Sequence, residues 1–238
     1  MSFITHQGRH SAYRAVAAQI ALREPSGNIE AERREITVLF ADIRNFSAYC
    51  EGRPPEEAAA LLHAFFSIAT RVVEAHGGCV EEFVGDAIMA VWNAESPCVD
   101  HPERAYAAAA VLLAEVEALF VTPPPPGLEP LALGIGMETG MALVGSFGPA
   151  RRRTHAALGE TVTVAARLQA MTADLAQPIL IGEGAAARLS TASLMSLGEF
   201  LLEGLRRPRL LHAPAPATPA GLSLVHSATS TQSTKIAA

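Results

Sequence analysis

Cysteine is scarce in this chain. Cys50, Cys79 and Cys98 are the only three in 238 residues, too few and too irregularly spaced for a disulfide scaffold or a zinc site. Free thiols in a reducing cytoplasm are expected. Basic charge is also short: 18 Lys and Arg stand against 24 Asp and Glu, a net charge of -6, which argues against broad nucleic-acid binding because phosphates need a basic surface. No apolar signal core lies in residues 1–10. The most apolar helix candidate, residues 107–121, is interrupted by Glu115 and Glu117 and does not read as a membrane span. These absences together predict a soluble cytoplasmic protein without membrane insertion or a nucleic-acid partner.

What is present fits one globular domain with extensions: half of the residues are hydrophobic and 18% are charged. Residues 1–33 form a prelude in which Tyr13, Val16, Ala17, Ile20 and Ala21 recur at the spacing of a short amphipathic helix. The main domain is placed at residues 34–214. Residues 215–238, rich in Ala, Pro, Ser and Thr, bury too little apolar surface to offset their ordering entropy and read as a disordered tail.

Within the domain, the apolar run Ile36-Thr37-Val38-Leu39-Phe40 predicts a strand. Pro54-Pro55-Glu56-Glu57 then opens a helix, with proline early and acids in the first turn, and His76-Gly77-Gly78 closes it. Two apolar runs around Gly85-Asp86 predict a hairpin, followed by a helix over residues 102–120 and a stiff connector at residues 123–126. Strands over residues 131–137 and 141–146, a helix over 161–171 and a short strand at 178–181 complete the pattern. Strand, helix, two strands, helix, strand is the order of an α+β, ferredoxin-like βαββαβ core, with a largely antiparallel sheet and helices packed on one of its faces.

Two aspartates stand where strands give out. Asp42 closes the first apolar run and Asp86 sits in the hairpin turn. Either alone reads as ordinary turn chemistry. As a pair of hard oxygen donors at strand ends, they suit Mg²⁺ held together with a substrate's phosphates.

The flanks of the two aspartates, Phe40-Ala41-Asp42-Ile43-Arg44-Asn45-Phe46-Ser47 and Glu82-Phe83-Val84-Gly85-Asp86-Ala87-Ile88-Met89, resemble the class III nucleotide cyclase catalytic domain. The resemblance continues through Gly136-Met137-Glu138-Thr139-Gly140 and Ala165-Ala166-Arg167-Leu168. It implies attack of a ribose 3′-hydroxyl on the α-phosphate of a nucleoside triphosphate, giving a 3′,5′-cyclic nucleotide and pyrophosphate for intracellular signalling. Two ions per site, Mg²⁺ or Mn²⁺, are implied on Asp42, Asp86 and the Ile43 carbonyl. The backbone at Phe46 and Ser47 is expected to cradle the distal phosphates, and Arg167 to meet the α-phosphate. The family divides each site between two subunits, so a chain carrying both residue sets implies a homodimer with sites at the interface.

The chain also departs from that pattern. Glu82 stands where adenylate cyclases carry Lys and guanylate cyclases Glu. A carboxylate accepts from guanine N1–H and its exocyclic amino group, whereas adenine N1 is an acceptor, so GTP is favoured. Ala156, at the second base-reading position, leaves room for guanine O6. Thr163 replaces an Asn that orients the ribose, which predicts slow turnover. Glu203 replaces a Lys, and Arg206 or Arg207 is a candidate for restoring positive charge to the triphosphate. Other expectations left open are an adenylate cyclase, a pyrimidine (CTP or UTP) cyclase, and a catalytically degenerate nucleotide-binding or dimerisation module.

Overall fold

The computed structural model describes residues 30–120, 129–147 and 154–216. The expected N-terminal helix, the 123–126 connector and the tail beyond residue 216 lie outside the described residues. The first strand, β1 (Glu30–Arg44), leads into a short helix α1 (Phe46–Cys50) and a long helix α2 (Pro55–Ala75). Hairpin β2 (Cys79–Val84) and β3 (Ala87–Trp92) follows, then α3 (His101–Glu117) and β4 (Ala132–Phe147). The chain continues through β5 (Thr154–Leu158), α4 (Glu160–Met171), β6 (Ile179–Ile181), the single turn α5 (Glu183–Ala186), β7 (Leu194–Phe200) and β8 (Arg209–Pro214).

The eight strands form one sheet in the order β2-β3-β1-β4-β6-β8-β7, with β5 paired to β4. Among the described residues, only the β4–β6 pair is parallel. β1, α2, β2, β3, α3 and β4 make up the expected βαββαβ unit, and the order β2-β3-β1-β4 within it is the ferredoxin-like arrangement. The strands β5, β7 and β8 extend the sheet beyond what the apolar pattern suggested.

Alternation along β1 divides the core. Leu39, Ala41 and Ile43 face α2 and α3, packing with Phe65, Ala69, Val72 and Leu112. Ile36 and Val38 face the opposite side, where Val162 and Ala165 of α4 cover them. Helices therefore cover both faces, not one as expected. α2 is long and apolar enough to cross a membrane by length and composition, yet its Phe65, Ala69, Val72 and Val73 are buried in this core.

A second difference concerns β4. The two strands expected at 131–137 and 141–146 are one strand, paired without interruption to β1 from Ala132 opposite Arg44 to Ser146 opposite Glu30. Glu138-Thr139-Gly140 is not a turn. Its glycine, like Gly136, marks a close approach of α4: a Cβ on Gly136 would lie 2.1 Å from the Gln169 nitrogen and 2.4 Å from the Ala165 carbonyl oxygen. β1 likewise runs past Asp42 to Arg44, because β4 pairs it to the end.

Candidate active site

Two local devices bring Asp42 and Asp86 together. Val84 pairs with Ala87, so Gly85 and Asp86 form a two-residue hairpin loop, with Gly85 at φ +63 in the first central position where glycine is favoured. Asp42 pairs with Ala87 on the adjacent strand, one residue from Asp86. The Ile43 N–H donates to the Asp86 carbonyl oxygen at 3.4 Å, so the Ile43 peptide lies against the turn. Burial pushes the Asp42 carboxyl up to about 7, helped by the Asp86 charge and a hydrogen bond shared with Asp86. A largely buried carboxyl group beside a second carboxylate is a pair of hard oxygen donors that fits a divalent cation.

Asn45, in the left-handed conformation at φ 65, turns the chain from β1 straight into α1, and its side-chain amide donates to the Pro130 carbonyl at 2.9 Å. Phe46 packs against the core and stacks on Tyr49, with ring centroids 6.1 Å apart, while Ser47 is exposed. The expected phosphate-binding stretch, Phe46 and Ser47, thus begins four residues after Asp42.

Thr163 and Arg167 lie one turn apart on the half-exposed stripe of α4, whose other side buries Val164, Ala165 and Leu168. The Thr163 hydroxyl donates to the Gly159 carbonyl within its own helix at 3.4 Å. Arg167 makes its polar contacts with Glu203. Among the described residues, Arg167 is thus engaged by Glu203 and forms no ion pair with Asp42 or Asp86. Arg206 is exposed on the same β7–β8 connection as Glu203.

The base-reading candidates approach each other through a residue that the sequence did not single out. A bulge between Val80 and Glu82 inserts Glu81 into β2, and Glu82 pairs with Met89. The Glu81 side chain, only 6% exposed, accepts from the Ala157 N–H at 3.2 Å and lies 3.5 Å from His155 Nδ1. Glu81 thus ties β2 to β5, with Glu82 and Ala156 each adjacent in sequence to a partner in this contact. A bulge depends on the partner strand, so no local signal announced it.

The adenylate and guanylate cyclase catalytic domain family matches residues 29–212. Adenylate cyclase 1 of Rhizobium meliloti (strain 1021) is 38% identical over 154 residues, which is 65% of this chain and 23% of that protein. The chain thus spans about a quarter of that relative's length. A bacterial light-regulated adenylyl cyclase structure shares 28% identity at a TM-score of 0.66, covering 77% of this chain and 91% of the other. The guanylyl cyclase Cya2 structure shares 26% identity at a TM-score of 0.63, covering 80% and 96%.

Proposed function

The chain belongs to the adenylate and guanylate cyclase catalytic domain family, and on that premise we propose that it cyclises a purine nucleoside triphosphate. The products are a 3′,5′-cyclic nucleotide, used for intracellular signalling, and pyrophosphate. The observation that carries this reading is the meeting of Asp42 and Asp86 at the end of β1 and the β2–β3 turn. Asp42, Asp86 and the Ile43 carbonyl are the groups to hold two Mg²⁺ or Mn²⁺ ions. Bound there, such ions would acidify the 3′-hydroxyl and offset the triphosphate charge.

The remaining residues position and neutralise. Arg167 offers a planar fork of donors to the α-phosphoryl oxygens, where charge grows in the transition state. Thr163, one turn earlier on the same stripe, places a hydroxyl toward the ribose. Backbone N–H groups at Phe46 and Ser47 meet the distal phosphates, and Arg206 adds charge there. A homodimer in which each subunit completes the other's site accounts for a chain that carries both the aspartate pair and Arg167, whose guanidinium is engaged by Glu203.

Two readings of the base each have an observation behind them. The relative named adenylate cyclase supports ATP. The Glu82 carboxylate, beside the Glu81–Ala157 contact, supports GTP because guanine presents donors where adenine presents an acceptor. Incubation with Mn²⁺ and ATP, GTP, CTP or UTP separately, followed by mass spectrometry, tests both. A single cyclic product that is lost in Asp42→Asn and Asp86→Asn is expected. No product from any of the four would overturn catalysis and leave a nucleotide-binding or dimerisation module.

A further inference from the structure

Arg167 is held at two points by one turn. Its Nε–H donates to the Glu203 carbonyl oxygen at 3.1 Å, and its Nη1 lies 3.0 Å from Glu203 Oε2. Glu203 stands between β7 and β8 in a turn closed by the Leu205 N–H on the Leu202 carbonyl at 3.0 Å. Gly204 follows at φ +82, which puts Glu203 at the first central position of a type II turn. Leu202, 1% exposed, packs with Val164, Leu168 and Leu211, so the turn is anchored to the helix that carries Arg167. The contact is thereby built into the fold rather than left to two floppy side chains.

The two contacts differ in kind. Any residue at this position supplies the carbonyl, and only an acid supplies the second contact. The Arg167 side chain is 21% exposed, whereas the Glu203 side chain is 82% exposed, so the ion pair is open to water and salt.

We propose that Glu203 is a positioning residue that acts through Arg167, restraining the guanidinium and competing with the nucleotide's phosphates for it. This rests on the reading of Arg167 given above. The Glu203 carboxylate takes one of the two Nη1 N–H groups and sets a negative charge beside the others, so phosphoryl oxygens that come to the guanidinium compete with it for that N–H and are repelled by its charge. The competing pair is exposed, so the restraint is weak and exchangeable, and it slows the enzyme without silencing it. The carbonyl contact persists when the carboxylate is removed and keeps the guanidinium near its place.

The test is a double-mutant cycle on the full chain: wild type, Glu203→Gln, Arg167→Ala and the double variant. Each is assayed for turnover with Mn²⁺ and ATP or GTP, and for affinity toward inorganic tripolyphosphate by calorimetry. Glu203→Gln is expected to raise kcat about two- to fivefold at low ionic strength, with a smaller gain at high salt, and to tighten tripolyphosphate binding by a similar factor. Both gains should vanish in the Arg167→Ala background. An unchanged or lower kcat with unchanged affinity in Glu203→Gln overturns the proposal. So does an equal gain in both backgrounds, which would make Glu203 a general repulsive charge. Full activity and affinity in Arg167→Ala is a separate result, and it would overturn the reading of Arg167 itself. Calorimetry reads the restraint even where turnover is too slow to follow.

Discussion

Replacing Glu138 with Gln should change how stability depends on pH. Glu138 sits in the middle of β4 and is 6% exposed, beneath the turn that carries α5. Its Oε1 accepts from the Thr139 N–H at 2.7 Å and the Ala185 N–H at 2.9 Å, and Gly182 and Gly184 pack directly against the carboxylate. Burial outweighs these two hydrogen bonds and pushes the carboxyl from 4.5 up to about 7. The native state therefore binds this proton more tightly than the unfolded chain does. The resulting stability is fully present below about pH 4.5 and is lost as pH rises through about 7. At about 1.4 kcal/mol per pKa unit the loss is on the order of 3 kcal/mol, or roughly 5–10 °C in Tm for a domain of this size. Gln keeps an acceptor for both N–H groups and cannot ionise, so Glu138→Gln should flatten this part of the profile and gain on wild type above pH 7. Thermal denaturation between pH 5 and 8.5 reads it directly. A constant offset between the two proteins across that range would refute the reasoning, and so would a wild-type advantage that grows with pH.

Other changes test the site and its supports. Gly136→Ala forces a methyl group into the α4 backbone and should cost about 1–3 kcal/mol in urea denaturation, along with activity, because α4 carries Thr163 and Arg167. Thr163→Asn extends a polar group from the exposed stripe of α4 and should raise kcat, by about tenfold or more if the ribose is misplaced in the wild type; no gain would separate Thr163 from the ribose. Mn²⁺ should raise the Tm of wild type, by roughly 2.7 kcal/mol of added stability at a hundredfold excess over Kd, and should leave Asp42→Asn and Asp86→Asn unshifted. Equal shifts in all three would move the metal site elsewhere.

How much of this was legible in the sequence depends on the range of each signal. The opening of α2 at Pro55 and its end at His76 follow from residues within one turn. The hairpin at Gly85-Asp86 is as local, and the β1 alternation marks which side chains are buried. With those elements placed, Asp42 and Asp86 were readable as neighbours at the sheet's end, and the family flanks extended that reading to Arg167 and Thr163.

Other features needed the partner strands. Glycine in Glu138-Thr139-Gly140 resembles a turn, yet continuous pairing with β1 keeps β4 straight, and the small residues there admit α4. The Glu81 bulge exists only relative to β3, and its contact with Ala157 spans 76 residues. The Arg167–Glu203 contact spans 36 residues and needed the β7–β8 turn in place. The sequence by itself determined α2, α3, the β2–β3 hairpin and the alternation of β1, because propensity and turn geometry act over a few residues. Only the tertiary structure decided register, which face α4 covers, and what holds each charged side chain, because those depend on desolvation and on partners remote in the chain.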